Sequence, residues 1–339
     1  MAIVTIKDIA KESGYAISTV SRALNNHPDV SPEAKKHIDE VVKKCGFVPN
    51  NNARQLKQQQ GTTVAIVVKG SFNMFFASIV EQLQCEINDA GYKTVLHYLD
   101  EDADEVLGAK QLCRELKPLG LIFLGGSIHN FKHHFTGIKI PCVLATTVSD
   151  ELQFENLSCV GIDDKRAAYL AADYLLSCGH KSIAMMGGDR SLSYISRMRY
   201  EGCKDRMDEA GLPFDDENYQ KANFNYGSAY RAMNKLLASG RPITAVFAVS
   251  DVMAVGAMRA IFDAGLRVPQ DISVLGFDGL DLANYTVPKL ATIRQPLKEI
   301  AHNSAELLLN NLSRHTPTEH IVVGVDLMRG ESVRNLSDS

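Results

Sequence analysis

Thr19, Ser21 and Arg22 stand within one helical turn of each other, and their types suit contact with a polyanion. Hydroxyls can bond phosphate oxygens, and a guanidinium can bridge two acceptors on a guanine edge. To act together, the three must sit on the outer face of a helix whose start can enter a major groove. That placement makes demands upstream. A first helix needs a small residue where the second crosses it, the turn needs a residue that tolerates left-handed backbone, and the second helix needs an apolar anchor. Ala10, Gly14 and Val20 meet these demands in order. The competing reading is a small helical core with a surface arginine.

The elements follow from local signals. Thr5 and Asp8 make a capping-box-like start to a helix that Gly14 ends. A second helix runs over Ile17 to Asn26 with Ile17, Val20 and Leu24 on one face. Ser31, Pro32 and Glu33 open a third, with proline at its first position; Ile38, Val41 and Val42 give it an apolar stripe, and Gly46 stops it. Residues 50–60 are polar and read as a linker, too short to hold a helix in water unaided.

From Thr62 onward the pattern becomes strand, helix, strand. Strands are expected at Val64 to Val68, Lys93 to Tyr98, Leu119 to Leu124 and Cys142 to Ala145. The pattern restarts with strands at Ser182 to Met186, Ala245 to Val249 and Ile272 to Gly276. Helices close at Gly91, Gly211 and Gly265. Such alternation implies parallel sheets with helices on both faces. The stretches from Val64 to Gly91 and from Ile183 to Gly211 resemble each other, which suggests two similar lobes with a ligand cleft at the strand ends.

Composition excludes several classes. No stretch of the 339 residues approaches the roughly 20 apolar residues that span a bilayer. The N-terminus lacks a basic start followed by an apolar run, so a cytoplasmic location is expected. The cysteines number seven, with no CxxC pair, and read as small buried hydrophobes. His129, His133 and His134 cluster without Cys or Glu partners and read as surface residues, so no metal or cofactor is expected. Residues 1–60 hold nine Lys and Arg against six Asp and Glu, a balance of +3, whereas the rest of the chain carries −7. A basic head on an acidic body is consistent with a nucleic-acid partner.

Thr5 to Asn26, Val30 to Glu33 and Gly46 to Asn50 resemble the head of the lac repressor/gal repressor family. Blocks of the body are similar too: Asn73 to Phe76, Val160 to Asp163, Leu176 to His180, Ser196 to Gly202, Ser250 to Ala257, Pro269 to Asp278 and Thr292 to Pro296. The resemblance covers residues 5 to about 300 in order. It implies an α/β chain with three parts: an all-α helix-turn-helix head over 1–49, a hinge helix over 50–60, and a two-lobed periplasmic-binding-protein-like body with parallel sheets over 61–339. The first lobe is expected over about 61–162 plus 293–327 and the second over about 163–292. The implied function is a sequence-specific regulator, a homodimer on double-stranded operator DNA, whose affinity responds to a small-molecule effector. The implied DNA contacts are Thr5, Ile17, Ser18, Thr19, Ser21, Arg22 and Asn25, with Ala53 and Arg54 flanking Leu56. In that scheme Leu56 wedges into the minor groove and bends the duplex; otherwise it is a linker residue packed on the body.

The same resemblance implies an effector site of Asn73, Phe75, Thr146, Arg197, Phe224, Ser250, Asp251, Asp278 and Gln295. A sugar or sugar derivative suits these types, since a polyol needs both donors and acceptors beside an apolar ring face. A purine stacked on the aromatics is the alternative. Each residue also has a plain structural use: Arg197 pairing with Glu201, Phe75 and Phe224 as core, Asp278 as a helix cap. There are departures from the family pattern. Ala16 stands where a hydroxyl residue usually caps the second helix, a loss of ~1 kcal/mol if nothing replaces it. Met74 replaces a usual proline, Thr146 a frequent acid and Gly279 a common second aspartate. Two rivals stay open. A nucleotide-dependent enzyme would fit the fold, but no GxGxxG or P-loop follows an expected strand. A sugar-binding protein would share the body but not the head.

Overall fold

The computed structural model describes residues 5–24, 29–46, 62–70, 73–314 and 316–337. The expected hinge over 50–60, with Ala53, Arg54 and Leu56, lies outside the described residues, as does Asn25. The chain divides into two compact units, Met1–Gln59 and Gln60–Ser339.

Among its described residues the first unit holds three helices: α1 (Ile6–Ser13), α2 (Ile17–Leu24) and α3 (Pro32–Cys45). Ile9, Ala10, Val20, Ala23, Ile38 and Val41 meet in a small buried core. Gly14 takes the left-handed conformation at φ 70° and so turns the chain from α1 to α2. Asp8 accepts both the Thr5 N–H (2.8 Å) and the Thr5 hydroxyl (2.7 Å), which fixes the start of α1. Ser31 caps α3 by accepting the Ala34 N–H at 3.3 Å.

The second unit holds two six-stranded sheets. The first has the order β11-β5-β4-β3-β1-β2: β1 (Thr63–Lys69), β2 (Lys93–Leu99), β3 (Gly120–Leu124), β4 (Cys142–Ala145), β5 (Leu157–Ile162) and β11 (His320–Val323). All its pairings are parallel. The second has the order β12-β10-β9-β8-β6-β7: β6 (Ile183–Gly187), β7 (Tyr219–Lys221), β8 (Ala245–Ala248), β9 (Ser273–Asp278), β10 (Ala291–Arg294) and β12 (Asp326–Met328). Here only β12 runs antiparallel, against β10. Helices α4 (Met74–Asp89), α5 (Glu105–Leu116), α6 (Ile128–His134) and α11 (Leu297–Arg314) accompany the first sheet. Helices α7 (Asp164–Ser177), α8 (Tyr194–Glu209), α9 (Tyr226–Ala238) and α10 (Asp251–Asp263) accompany the second. Strands covered on both faces are continuous apolar runs, as in β1, where Val64 to Val68 are all buried.

The chain crosses between sheets three times: from β5 into α7, from β10 into α11, and between β11 and β12. The expected lobe boundary at 293 therefore moves. Residues 291–294 pair with β9 and 326–328 with β10, so both belong to the second sheet. In each sheet the strand order reverses next to its first strand, between β1 and β3 and between β6 and β8. Ligands in such sheets bind beyond the carboxyl ends of the strands at that reversal. Since β5 and β10 both leave their sheets at that edge to enter the other lobe, the two carboxyl edges face one another.

Among the described residues, no helix is long and apolar enough to cross a membrane and no group of His, Cys, Asp and Glu could hold a metal ion. Cys142, Cys159 and Cys203 are buried, but Cys85 is exposed on α4, unlike the expected small buried hydrophobe. His134, beside His133, also bonds Asp104 at 2.6 Å.

Candidate functional site: a helical head and an interlobe cleft

The α2 helix turns Val20 and Ala23 into the head's core. The opposite side therefore carries Ile17, Ser18 and Arg22, which are exposed, with Thr19 and Ser21 half-buried at its margin. Ile17 is 46% exposed at the helix start, where an apolar side chain gains nothing from water. A thymine methyl is a suitable contact for it. Ala16 offers only its carbonyl, which accepts the Thr19 and Val20 N–H groups at 2.9 and 3.0 Å.

In the body, the sequence-expected residues fall on the two facing strand edges. On the first lobe, Asn73 caps α4 by accepting the Phe75 N–H at 3.0 Å, and Phe75 is buried against Phe76. Thr146 follows β4 with φ 76°. On the second lobe, Ser250 caps α10 by accepting the Met253 N–H at 3.2 Å. Asp278 closes β9 with φ 110° and accepts a bond from the Gln295 amide at 2.9 Å. Thr146 and Asp278 are two of only three non-glycine residues with positive φ among the described residues. Strain of this kind, on the order of 1–3 kcal/mol each, collects at functional sites. Asp278 therefore caps no helix; it is held in the cleft edge by a buried glutamine.

The rims of the two lobes also touch. The Tyr226 hydroxyl donates to the Met74 sulfur at 3.4 Å. The Glu101 carboxylate accepts the Phe224 backbone N–H, while burial and then Asp102 push its carboxyl up from the usual range. Thus the segment carrying Phe75 and the half-buried ring of Phe224 are tied across the cleft.

Two expected residues are placed differently. Arg197 is exposed, with its guanidinium 5.4 Å from the Tyr194 ring centre. Asp251 is fully buried, and its carboxylate is engaged within the lobe: one oxygen accepts the Thr292 hydroxyl at 2.6 Å and the other the Leu280 N–H at 2.7 Å. It positions the turn that follows Asp278 rather than facing a ligand.

The residue missed from sequence is Arg199. Its Nε donates to Asp164 at 2.8 Å and a terminal nitrogen donates to the Val249 carbonyl at 2.7 Å. The guanidinium lies 3.6 Å from the centre of the Phe277 ring, and both partners of the ion pair are only 5% exposed. A helical signal was present. Ser196, Tyr200, Cys203 and Met207 make the buried stripe of α8, and Arg199, three residues after Ser196, lies on it while Arg197 does not.

Arg199 acts on two buried carboxyls, Asp164 and Asp278, and Asp251 lies close enough to act on Asp278. Burial raises the pKa of Asp278 well above the usual carboxylate range, with Arg199 opposing and Asp251 adding to the rise. Burial raises Asp164 too, against the pull of Arg199. Asp251 is pushed up to about 7 by burial, in spite of its bonds from Thr292 and Leu280. A carboxyl raised on folding binds more protons in the native state. Its contribution is full below the unfolded value near 4 and is lost as pH rises through about 7. Asp251→Asn should therefore flatten the fall in the body's stability between pH 5 and pH 8. Urea unfolding at both pH values checks this, and an unchanged slope would remove Asp251 as its source.

The comparisons agree with this geometry. The family described as bacterial regulatory proteins, lacI family, matches residues 5–50, and the periplasmic binding protein-like domain matches residues 172–333. The chain is 37% identical over 338 residues to the HTH-type transcriptional regulator MalR of Clostridium butyricum, covering 98% of this chain and 99% of that one. It is 33% identical to the probable HTH-type transcriptional repressor ExuR of Bacillus subtilis, covering 99% and 100%. Among solved structures, a transcriptional regulator CelR-cellobiose complex superposes with a TM-score of 0.73 at 26% identity, covering 97% and 99%. The lac repressor dimer bound to operator shares the fold, with a TM-score of 0.71 at 22% identity, covering 98% and 100%. With this head, this cleft and relatives matched over their whole length, the chain belongs to the lacI family of bacterial regulatory proteins and is a DNA-binding transcriptional regulator with an effector-binding body.

Proposed function

We propose that the chain is a homodimeric repressor, acting in the cytoplasm on a pseudo-palindromic operator, whose DNA affinity is set by a sugar or sugar derivative held between the lobes. The observation that carries the effector half is the buried set of Arg199, Asp278 and Gln295. It lies where β9 and β10 meet the crossover into the first lobe, so a molecule bound there touches the joint between lobes. The set offers donors and an acceptor beside the Phe75 and Phe224 segments, as a polyol requires. The cellobiose complex of a relative supports a carbohydrate class.

For the DNA half, Ile17, Ser18, Thr19, Ser21 and Arg22 are the groove-facing set, with Thr5 at the start of α1. Asn25, Ala53, Arg54 and Leu56 complete the contacts implied by the family. One helix-turn-helix per chain is a small interface, so two heads on half-sites about one helical turn apart are required for tight binding. A protein of the same fold, the lac repressor, is bound to its operator as a dimer, which supports this reading.

The test is operator binding by anisotropy, with and without sugars, on the native chain and on Asp278→Ala. The native chain should bind as a dimer by light scattering and change its affinity when the right sugar is added. Asp278→Ala should still dimerise and bind operator but lose the response. A variant that responds like the native chain would place the effector elsewhere.

A further inference from the structure

A cavity of about 360 Å³ lies between α7 and the strands β10 and β12, and none of the effector-site residues lines it. One wall is a stripe of α7. Leu170, Asp173, Tyr174 and Ser177 follow the i, i+3, i+4, i+7 spacing that puts residues on one face of a helix. This stripe is separate from the one that α7 turns into the core, which is Ala167, Ala168, Ala171, Ala172 and Leu175. The other wall is the antiparallel edge of the second sheet. Val325, Leu327 and Arg329 alternate along it and so share one face, and Ile293 on β10 is the register partner of Leu327. The position is set by the three crossings between the lobes. Helix α7 is the first element after the crossing from β5, β10 the last before the crossing into α11, and β12 the first after the crossing from β11. Each crossing therefore attaches to a wall of the cavity, and a movement of one lobe against the other passes through segments that adjoin it. Strand β10 also reaches the cleft. Ile293 registers with Phe277, whose ring lies under the Arg199 guanidinium, and two residues on Gln295 bonds Asp278.

The charges that line the cavity do not balance. Asp173 is paired with Arg206 at 2.7 Å and Asp326 with Arg294 at 2.9 Å. Among the described residues Arg329 forms no ion pair. Burial raises the Tyr174 phenol above its usual range, and Cys178 adds to the rise, but the Arg329 guanidinium is near enough to oppose it. The cavity thus offers apolar walls from Leu170, Ile293, Val325 and Leu327, one phenol ring, and one exposed cation without a partner. A guanidinium in that state is a bidentate donor for a ligand carboxylate. The volume is in the range of small-ligand pockets, roughly 300–1,000 Å³.

We propose that this cavity is a second ligand site, separate from the cleft, for a small carboxylate on an aromatic or aliphatic body, and that its occupation changes operator affinity through the lobe joint. The body packs between the α7 stripe and the strand edge, and the carboxylate meets Arg329. A ligand that fits these walls better in one arrangement of the lobes than in the other shifts the balance towards the one it fits.

The test uses the full chain and three probes that share one body and differ in charge: phenylacetate, 2-phenylethanol and 2-phenylethylammonium, read by titration calorimetry. Phenylacetate should bind at least tenfold tighter than either counterpart. Arg329→Gln removes the charge, and because Arg329 is exposed the unliganded melting temperature should stay where it is. The variant should weaken phenylacetate at least tenfold and leave 2-phenylethanol as in the native chain. Ser177→Trp, at an exposed position on the α7 wall, should fill the cavity and remove phenylacetate binding. Saturating phenylacetate should shift the operator affinity of the native chain at least threefold and leave that of Arg329→Gln unmoved. Three results overturn the site: phenylacetate that does not bind, equal binding by the native chain and Arg329→Gln, and loss of binding in Asp278→Ala, which would put the probe in the cleft. Phenylacetate bound with operator affinity unmoved overturns the coupling.

Discussion

Arg199→Ala should destabilise the body by about 3–5 kcal/mol, the usual cost of removing one partner of a buried ion pair. The reason is what remains. Asp164, which accepts the Arg199 Nε at 2.8 Å, and the nearby Asp278 would stay buried with no cation facing them. The Val249 carbonyl would also lose its donor, and the Phe277 ring its guanidinium. The loss should shrink at low pH, because the raised carboxyls can then take up protons instead. Replacing Arg199 and Asp164 together with apolar residues of similar size should restore much of the stability, since no charge is then left alone. Urea unfolding at pH 5 and pH 8 measures all three. A loss below about 1 kcal/mol in the single variant would mean that the pair is solvated and the charge argument fails.

The second large effect lies in the head. Arg22→Ala should weaken operator binding by roughly 5–150-fold, which corresponds to ~1–3 kcal/mol for a guanidinium reading a guanine edge. Random DNA should be affected far less, because a base contact adds nothing there. The structure supports the placement: Arg22 is exposed on the side of α2 opposite Val20 and Ala23, so its removal leaves the head's core untouched. Competition binding against operator and random duplexes separates the two terms. Equal losses on both would demote Arg22 to a phosphate contact.

Much of the fold was legible because its signals are local. Gly14 and Gly46 end the first and third helices with left-handed backbone, as their type and position imply. The central strands β1, β3, β4, β6, β8 and β9 are short apolar runs and were readable as such. The strands missed were β5, β7, β10, β11 and β12; β5 and β10 are buried and overlap blocks found by resemblance, whereas the other three have no local signature. Residues 219–221 pair only through Met185 to Gly187, and 320–323 and 326–328 are partly exposed edge segments placed by distant partners. Such pairing is a tertiary fact that no window of sequence contains.

The cleft was legible by resemblance in its blocks but not in its individual side chains. The block from Ser196 to Gly202 was found, yet within it Arg197 was chosen and Arg199 passed over. Only the phase of the helix separates the two, through the buried stripe of Ser196, Tyr200 and Cys203. Asp251 shows the opposite limit. Its type suits a ligand contact, but Thr292, forty-one residues away, and Leu280 take its oxygens. Nothing local to Asp251 announces either partner.

The proposed function couples a DNA-reading head to a ligand-reading body within one chain. The most direct measurement is operator affinity of the full chain, on a duplex selected from genomic fragments, titrated with the sugar that raises its melting temperature. A specific complex whose affinity shifts at least tenfold with that sugar, and no longer shifts in Asp278→Ala, is the predicted result. An operator affinity that is indifferent to every sugar that binds the body would contradict the coupling.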